Sequence, residues 1–142
     1  MDIWIVAVRK QNVTRYTVIH INRDLQDRFQ NTTENWVEKL NAILFFRAAN
    51  TLFMSHDIIQ IDKDFLGIHA RYVKRYMESL FGKFNFGTDK NRPTIQFIPD
   101  TLSEDVKEAH KYTKLARYRR IPSIDNPNIE KEFSYLRRRR PV

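Results

Sequence analysis

The sequence predicts one α/β domain built on a mixed sheet. Three observations carry that reading: short β-branched runs alternate with amphipathic segments of helical length, the chain has only three Gly and five Pro, and hydrophobic residues make up 42% of it. Alternating strand-like and helix-like periods are the pattern of packed α/β layers. Scarce Gly and Pro leave room for few long loops. A chain of 142 residues with 13% aromatic content buries one sizeable core. The domain is expected over residues 1–120, with a basic extension over 121–142.

Ile3 to Val8 and Tyr16 to Ile21 are β-branched and aromatic runs separated by a polar stretch, which predicts an N-terminal antiparallel hairpin. In the second run Tyr16, Val18 and His20 alternate with Thr17, Ile19 and Ile21, so both faces are partly covered and His20 is expected to pack or to hydrogen-bond. From Asn31 to Met54 the residues Trp36, Leu40, Ile43, Leu44 and Ala48 recur at helical spacing, and Asn31 with Glu34 resembles a capping box. Ala42 to Phe46 is apolar on nearly every side, which predicts a central, buried helix. Glu34 and Glu38 stand near its start, where the helix dipole favours carboxylates.

A short buried strand is expected over Ile58 to Ile61, ending at Asp62, followed by a helix from Phe65 to Phe81. That helix gathers His69, Tyr72, Val73, Tyr76, Met77 and Leu80 into one stripe, with Arg71, Lys74 and Arg75 opposite. Gly82 to Pro93 reads as a turn whose Phe84 and Phe86 either cover a core edge or, beside Lys83, Lys90 and Arg92, stack on bases. Thr94 to Ile98 is the next strand. Thr101 with Glu104 then opens a helix to about Tyr118, and a short helix is expected from Asn128 to Leu136.

The net charge of +8, from 25 Lys and Arg against 17 Asp and Glu, points to an anionic partner. Nucleic acid comes first, DNA or RNA, with anionic membrane surfaces and acidic proteins behind it and a basic protein with no such partner as the remaining reading. The absence of Cys removes disulfides, thiol nucleophiles and cysteine metal sites. No membrane span is expected, and the run Ile3 to Val8 is too short for a signal-peptide core, so an intracellular, cytoplasmic protein is expected. The strongest phosphate-binding pattern is Lys107, Lys111, Lys114 and Arg117, which recur along one helix face. Arg71, Lys74 and Arg75 form a second basic face; Arg119 and Arg120, then Arg137, Arg138, Arg139 and Arg140, extend the charge into the tail.

Candidate ligands for Mg²⁺ or Mn²⁺ are Asp62, Asp64, Asp105 and Glu108, of which Asp62, Asp64 and Asp105 are also the catalytic candidates. Asp62 to Gly67 imitates half of a calcium-binding loop, but Leu66 and Val73 fall where oxygen ligands are required, which excludes it. His20, His56, His69 and His110 have no spacing that makes a local zinc site.

In element order and in the placement of these acids, residues 1–120 resemble the RNase H-like superfamily, in which an antiparallel ribbon leads into alternating helices and parallel strands. The resemblance implies carboxylates that hold two divalent ions at a phosphodiester. Asp62 then takes the strand-end position with Asp64 beside it, Glu38 loosely matches the acid of the first long helix, and Asp105 or Glu108 stands for the acid of the last one. The chain departs from the pattern in its first strand, where the family carries a mid-strand Asp and Ile3 to Val8 has none; Asp2 lies at the edge. Arg23 to Gln30 also gives no clear third antiparallel strand.

These observations leave enzyme and binding protein both open. A nucleic-acid-binding protein that uses its basic helix faces and Arg-rich tail is preferred over a metal-dependent nuclease, because the first-strand Asp is missing and each acidic candidate has a local structural role. An accessory protein that docks its tail on an acidic partner is the third reading.

Overall fold

The computed structural model describes residues 2–10, 13–50, 57–62, 69–85, 93–116, 123–125 and 128–139; for 2–10, 13–20, 85, 100, 112–116 and 123–125 it describes the backbone only. Strands and helices are mixed, in keeping with an α/β chain. Strand β1 (Asp2–Lys10) pairs antiparallel with β2 (Val13–Ile21), with Asp2 opposite Ile21 and Lys10 opposite Val13. The other edge of β2 takes the short β5 (Ser123–Asp125) in parallel. A separate parallel pair is formed by β3 (Ile58–Asp62) and β4 (Thr94–Ile98), in register from Ile58 with Thr94 to Asp62 with Ile98.

The single continuous sheet of an RNase H-like fold is therefore not found among the described residues, where the strands form two sheets. A second departure lies in residues 23–32. Where that fold needs a third antiparallel strand, helix α1 (Arg23–Thr32) forms instead. Asn22 caps it by accepting a hydrogen bond from the Leu25 amide at 2.8 Å, Asp24 complements the dipole, and Leu25 and Phe29 turn inward at helical spacing.

Helix α2 (Trp36–Ala49) starts later than the Asn31 and Glu34 pattern suggests. The chain breaks after α1, and Asn35 enters the left-handed region at φ 56°, a conformation that Asn tolerates better than most residues. Beyond that break the apolar run behaves as expected: Leu40, Ala42, Ile43, Leu44, Phe46 and Ala49 are all buried. Helix α3 (Ala70–Leu80) supplies Val73, Tyr76, Met77 and Leu80 to the same core, and a π-helical turn (Phe81–Asn85) prolongs it into what reads in sequence as a loop.

Helix α4 (Glu104–Ala116) follows a short 3₁₀ turn at Asp100–Leu102, so its cap is Ser103 rather than Thr101: the Ser103 hydroxyl accepts from the Val106 amide at 3.4 Å. This helix packs against β1, β2 and β3, and so joins the two sheets.

Helix α5 (Glu130–Leu136) lies in the segment read as a basic extension, yet Ile129, Phe133 and Leu136 belong to the main buried cluster. Burying each of those side chains contributes about 1.5–3 kcal/mol. Phe133 meets Phe29 with ring centres 4.0 Å apart. Helix α2 grips both ends of α5. Arg47 donates to the Asn128 carbonyl and forms an ion pair with Glu132 at 3.0 Å, while Lys39 donates to the Arg137 carbonyl at 3.2 Å. A cation at the carbonyl end of a helix also meets the negative end of its dipole.

Candidate nucleic-acid interface

Helix α4 carries the longest row of candidate phosphate-binding residues. Lys107 and Lys111 are exposed one turn apart, as the spacing requires. The backbone of Lys114 continues the same helix, its side chain lying outside the described residues together with Arg117, Arg119, Arg120 and Arg140. Val106, nearly a third of a turn from Lys107, is buried, so the helix presents its packed and its basic sides next to each other.

At the boundary of those two sides stands His110. Its Nδ1 lies 2.8 Å from Oδ2 of Asp62, the last residue of β3. The Asp62 side chain is 12% exposed and the His110 ring 33% exposed, so an enclosed carboxylate holds an imidazole that solvent reaches. Beside the pair, Ser103 donates to Oε1 of Gln60 at 2.8 Å, which fixes the start of α4 against β3. The C-terminal edge of parallel strands is where open α/β sheets commonly place their ligands.

Of the candidate metal ligands, Asp62 thus has a defined partner. Asp105 is exposed and Glu108 half-buried, and both sit on helix positions turned away from His110 by spacing. Among the described residues no three carboxylate or imidazole groups come together as a metal site; Asp64 lies outside them. His69, another of the four histidines, stacks on Tyr72 at 4.6 Å.

A second basic surface is built around aromatic rings. Phe84, on the π-helical turn, meets Tyr135 of α5 edge-on at 5.4 Å and leans on Phe46 at 6.5 Å. The Lys131 ammonium lies 5.1 Å from the Phe84 ring centre, and the Arg139 guanidinium 3.9 Å from that of Tyr135. Both rings are half-buried and both cations exposed. Phe84 therefore covers a core edge and at the same time adjoins a cationic surface; Phe86 lies outside the described residues. Arg137 and Arg138 follow this cluster in the chain and are exposed; on α3, Arg71 and Arg75 are exposed and Lys74 is half-buried.

The interior holds a different set of charges. Lys39 is only 1% exposed. Burial pushes its ammonium below the usual range, and the negative charge of Glu34 acts the other way. Nearby Tyr76 is pushed up by burial; the hydrogen bond from the Asn35 amide at 3.3 Å opposes this rise, and Glu38 and Glu34 add to it.

One of these features escapes a reading along the chain. The Asp62 and His110 partners are separated by 48 positions, and only the packing of α4 on β3 joins them. The ring and cation of Tyr135 and Arg139 do carry a local signal, their spacing of one helical turn. Comparison with protein families, characterised proteins and solved structures gives no match. No helix among the described residues is long and apolar enough to cross a membrane.

Proposed function

We propose that this is a nucleic-acid-binding protein that engages single strands through the Phe84 and Tyr135 surface and the lysine face of α4. The observation that carries the reading is the aromatic pair with its exposed cations, Lys131 5.1 Å from one ring and Arg139 3.9 Å from the other. A base has a flat π face that stacks on such rings, and its phosphate needs cations within reach of the same rings. The lysines of α4 add sequence-independent phosphate contacts. Lys107, Lys111, Lys131 and Arg139 are all exposed, so the cations of both surfaces are within reach of an external phosphate.

The test is a titration of labelled single- and double-stranded oligonucleotides at several salt concentrations. Binding is expected to favour single strands and to weaken steeply with salt. Tyr135→Leu keeps the buried volume and removes the stacking surface, which contributes about 1–3 kcal/mol per base. Affinity is expected to fall by about five- to a hundredfold. Salt-insensitive binding, or full affinity in Tyr135→Leu, overturns the assignment.

A further inference from the structure

We infer that Asp62 and His110 form a general-base pair that cleaves RNA at the 2′-hydroxyl, an inference that rests on the nucleic-acid reading and extends it. Three observations converge. The imidazole Nδ1 is 2.8 Å from an enclosed carboxylate, the ring keeps 33% of its surface exposed, and it stands three residues after the exposed Lys107 on one helix. Side chains at that spacing are neighbours, so a phosphate held by Lys107 lies beside the imidazole.

The hydrogen bond also selects a tautomer. With the Asp62 carboxylate as acceptor, the neutral ring carries its proton on Nδ1, and Nε2 is the basic nitrogen. Asp62 acts as a positioning residue and stabilises the imidazolium once it forms. The substrate class follows from what one oriented base does well. In RNA the nucleophile is already tethered next to phosphorus, so the reaction gains the large advantage of an intramolecular step. DNA lacks that hydroxyl.

The step balances without an oxidant or reductant. Nε2 of His110 takes the 2′-hydroxyl proton, the 2′-oxygen forms a bond to phosphorus, and the bond from phosphorus to the 5′-oxygen breaks. The leaving oxygen takes a proton from water, and the imidazolium returns its own to solvent. The products are a 2′,3′-cyclic phosphate and a 5′-hydroxyl end.

The experiment incubates the full chain, in EDTA, with a labelled single-stranded RNA, the same RNA 2′-O-methylated throughout, and the matching DNA, while binding of each is measured in parallel. Cleavage of the unmodified RNA alone, with cyclic phosphate ends, is expected. His110→Gln is expected to lower the rate by about 10²–10⁴-fold, the usual contribution of a positioned base. Asp62→Asn is expected to lower kcat with KM unchanged, and DNA affinity should persist in both variants.

RNA that binds and stays intact overturns the general-base assignment and leaves the binding function standing. Failure to bind any of the three overturns both. Cutting of the methylated RNA or of DNA, or undiminished cutting by His110→Gln, assigns the activity elsewhere. The methylated substrate tests the chemistry on the unmodified protein, so the result does not depend on a variant folding.

Discussion

Helices α2 and α4 both carry regularly spaced cations, and the two sets have opposite fates. On α2, Lys39 is 1% exposed and Arg47 is drawn against Glu132; both are taken up by the two ends of α5. On α4, Lys107 and Lys111 face solvent, and His110 between them takes its carboxylate from β3. Both sets are long side chains with a charged head. What differs is whether a neighbouring element brings carbonyls and carboxylates to meet them. A buried cation without such partners is too costly to persist, whereas an exposed row without them is a surface for an external anion.

The largest expected effect lies on the α5 side. Phe133→Ala removes a 4%-exposed ring that packs on Phe29 at 4.0 Å. It is expected to cost about 3–5 kcal/mol in urea unfolding. If the loss is below about 1 kcal/mol, α5 is an appendage in solution and the contrast between the two helices fails. Next is Glu132→Ala, which strands Arg47 beside a buried position; because the Arg47 side chain is 36% exposed and water reaches it, the expected cost is roughly 1–3 kcal/mol.

The joint substitution of Lys107 and Lys111 by Gln is expected to do the reverse. Stability should stay within about 0.5 kcal/mol, since neither side chain is packed. The slope of log affinity against log salt should flatten by roughly one to two, as two phosphate contacts are removed. A stability loss comparable to that of Glu132→Ala would erase the distinction drawn between the two helices.

How much of this is visible in the chain itself varies with the range of the interactions. The buried run Ala42 to Phe46, the strands ending at Asp62 and Ile98, and the spacing of Lys107 with Lys111 depend on local periodicity, and the structure has them where that periodicity puts them. Helix α1 is missed because Leu25 and Phe29 are too few to mark a helix, and its decisive signal is one cap at Asn22. The pairing of β5 with β2, and of His110 with Asp62, spans many intervening residues and leaves no pattern along the sequence. Lys39 looks like any helix lysine until α5 covers it. The local rules therefore reveal the surface row more readily than the buried clamp, although the clamp holds the fold together.

The smallest expected effect is the response to alkali, where the two buried groups oppose each other. The ammonium of Lys39 is held below its usual 10.5, so in the window just under that value the unfolded chain binds more protons than the folded one, and stability rises with pH. The hydroxyl of Tyr76 is held above its usual 10.0, so beyond that value the folded chain keeps a proton that the unfolded chain has lost, and stability falls. The contribution of Lys39 is thus lost as pH falls through its folded value, and that of Tyr76 is lost as pH rises through its own. Thermal unfolding between about pH 8 and about pH 11 separates them. Lys39→Met should remove the rising component and leave the fall at high pH, while Tyr76→Phe should remove much of the fall and leave the rise. Lys39→Met also takes the donor from the Arg137 carbonyl, a change that lowers the whole curve without altering its shape. Identical slopes for Lys39→Met and the parent protein would mean that the ammonium is hydrated in solution, and the two helices would then differ in sequence position but not in what they do with charge.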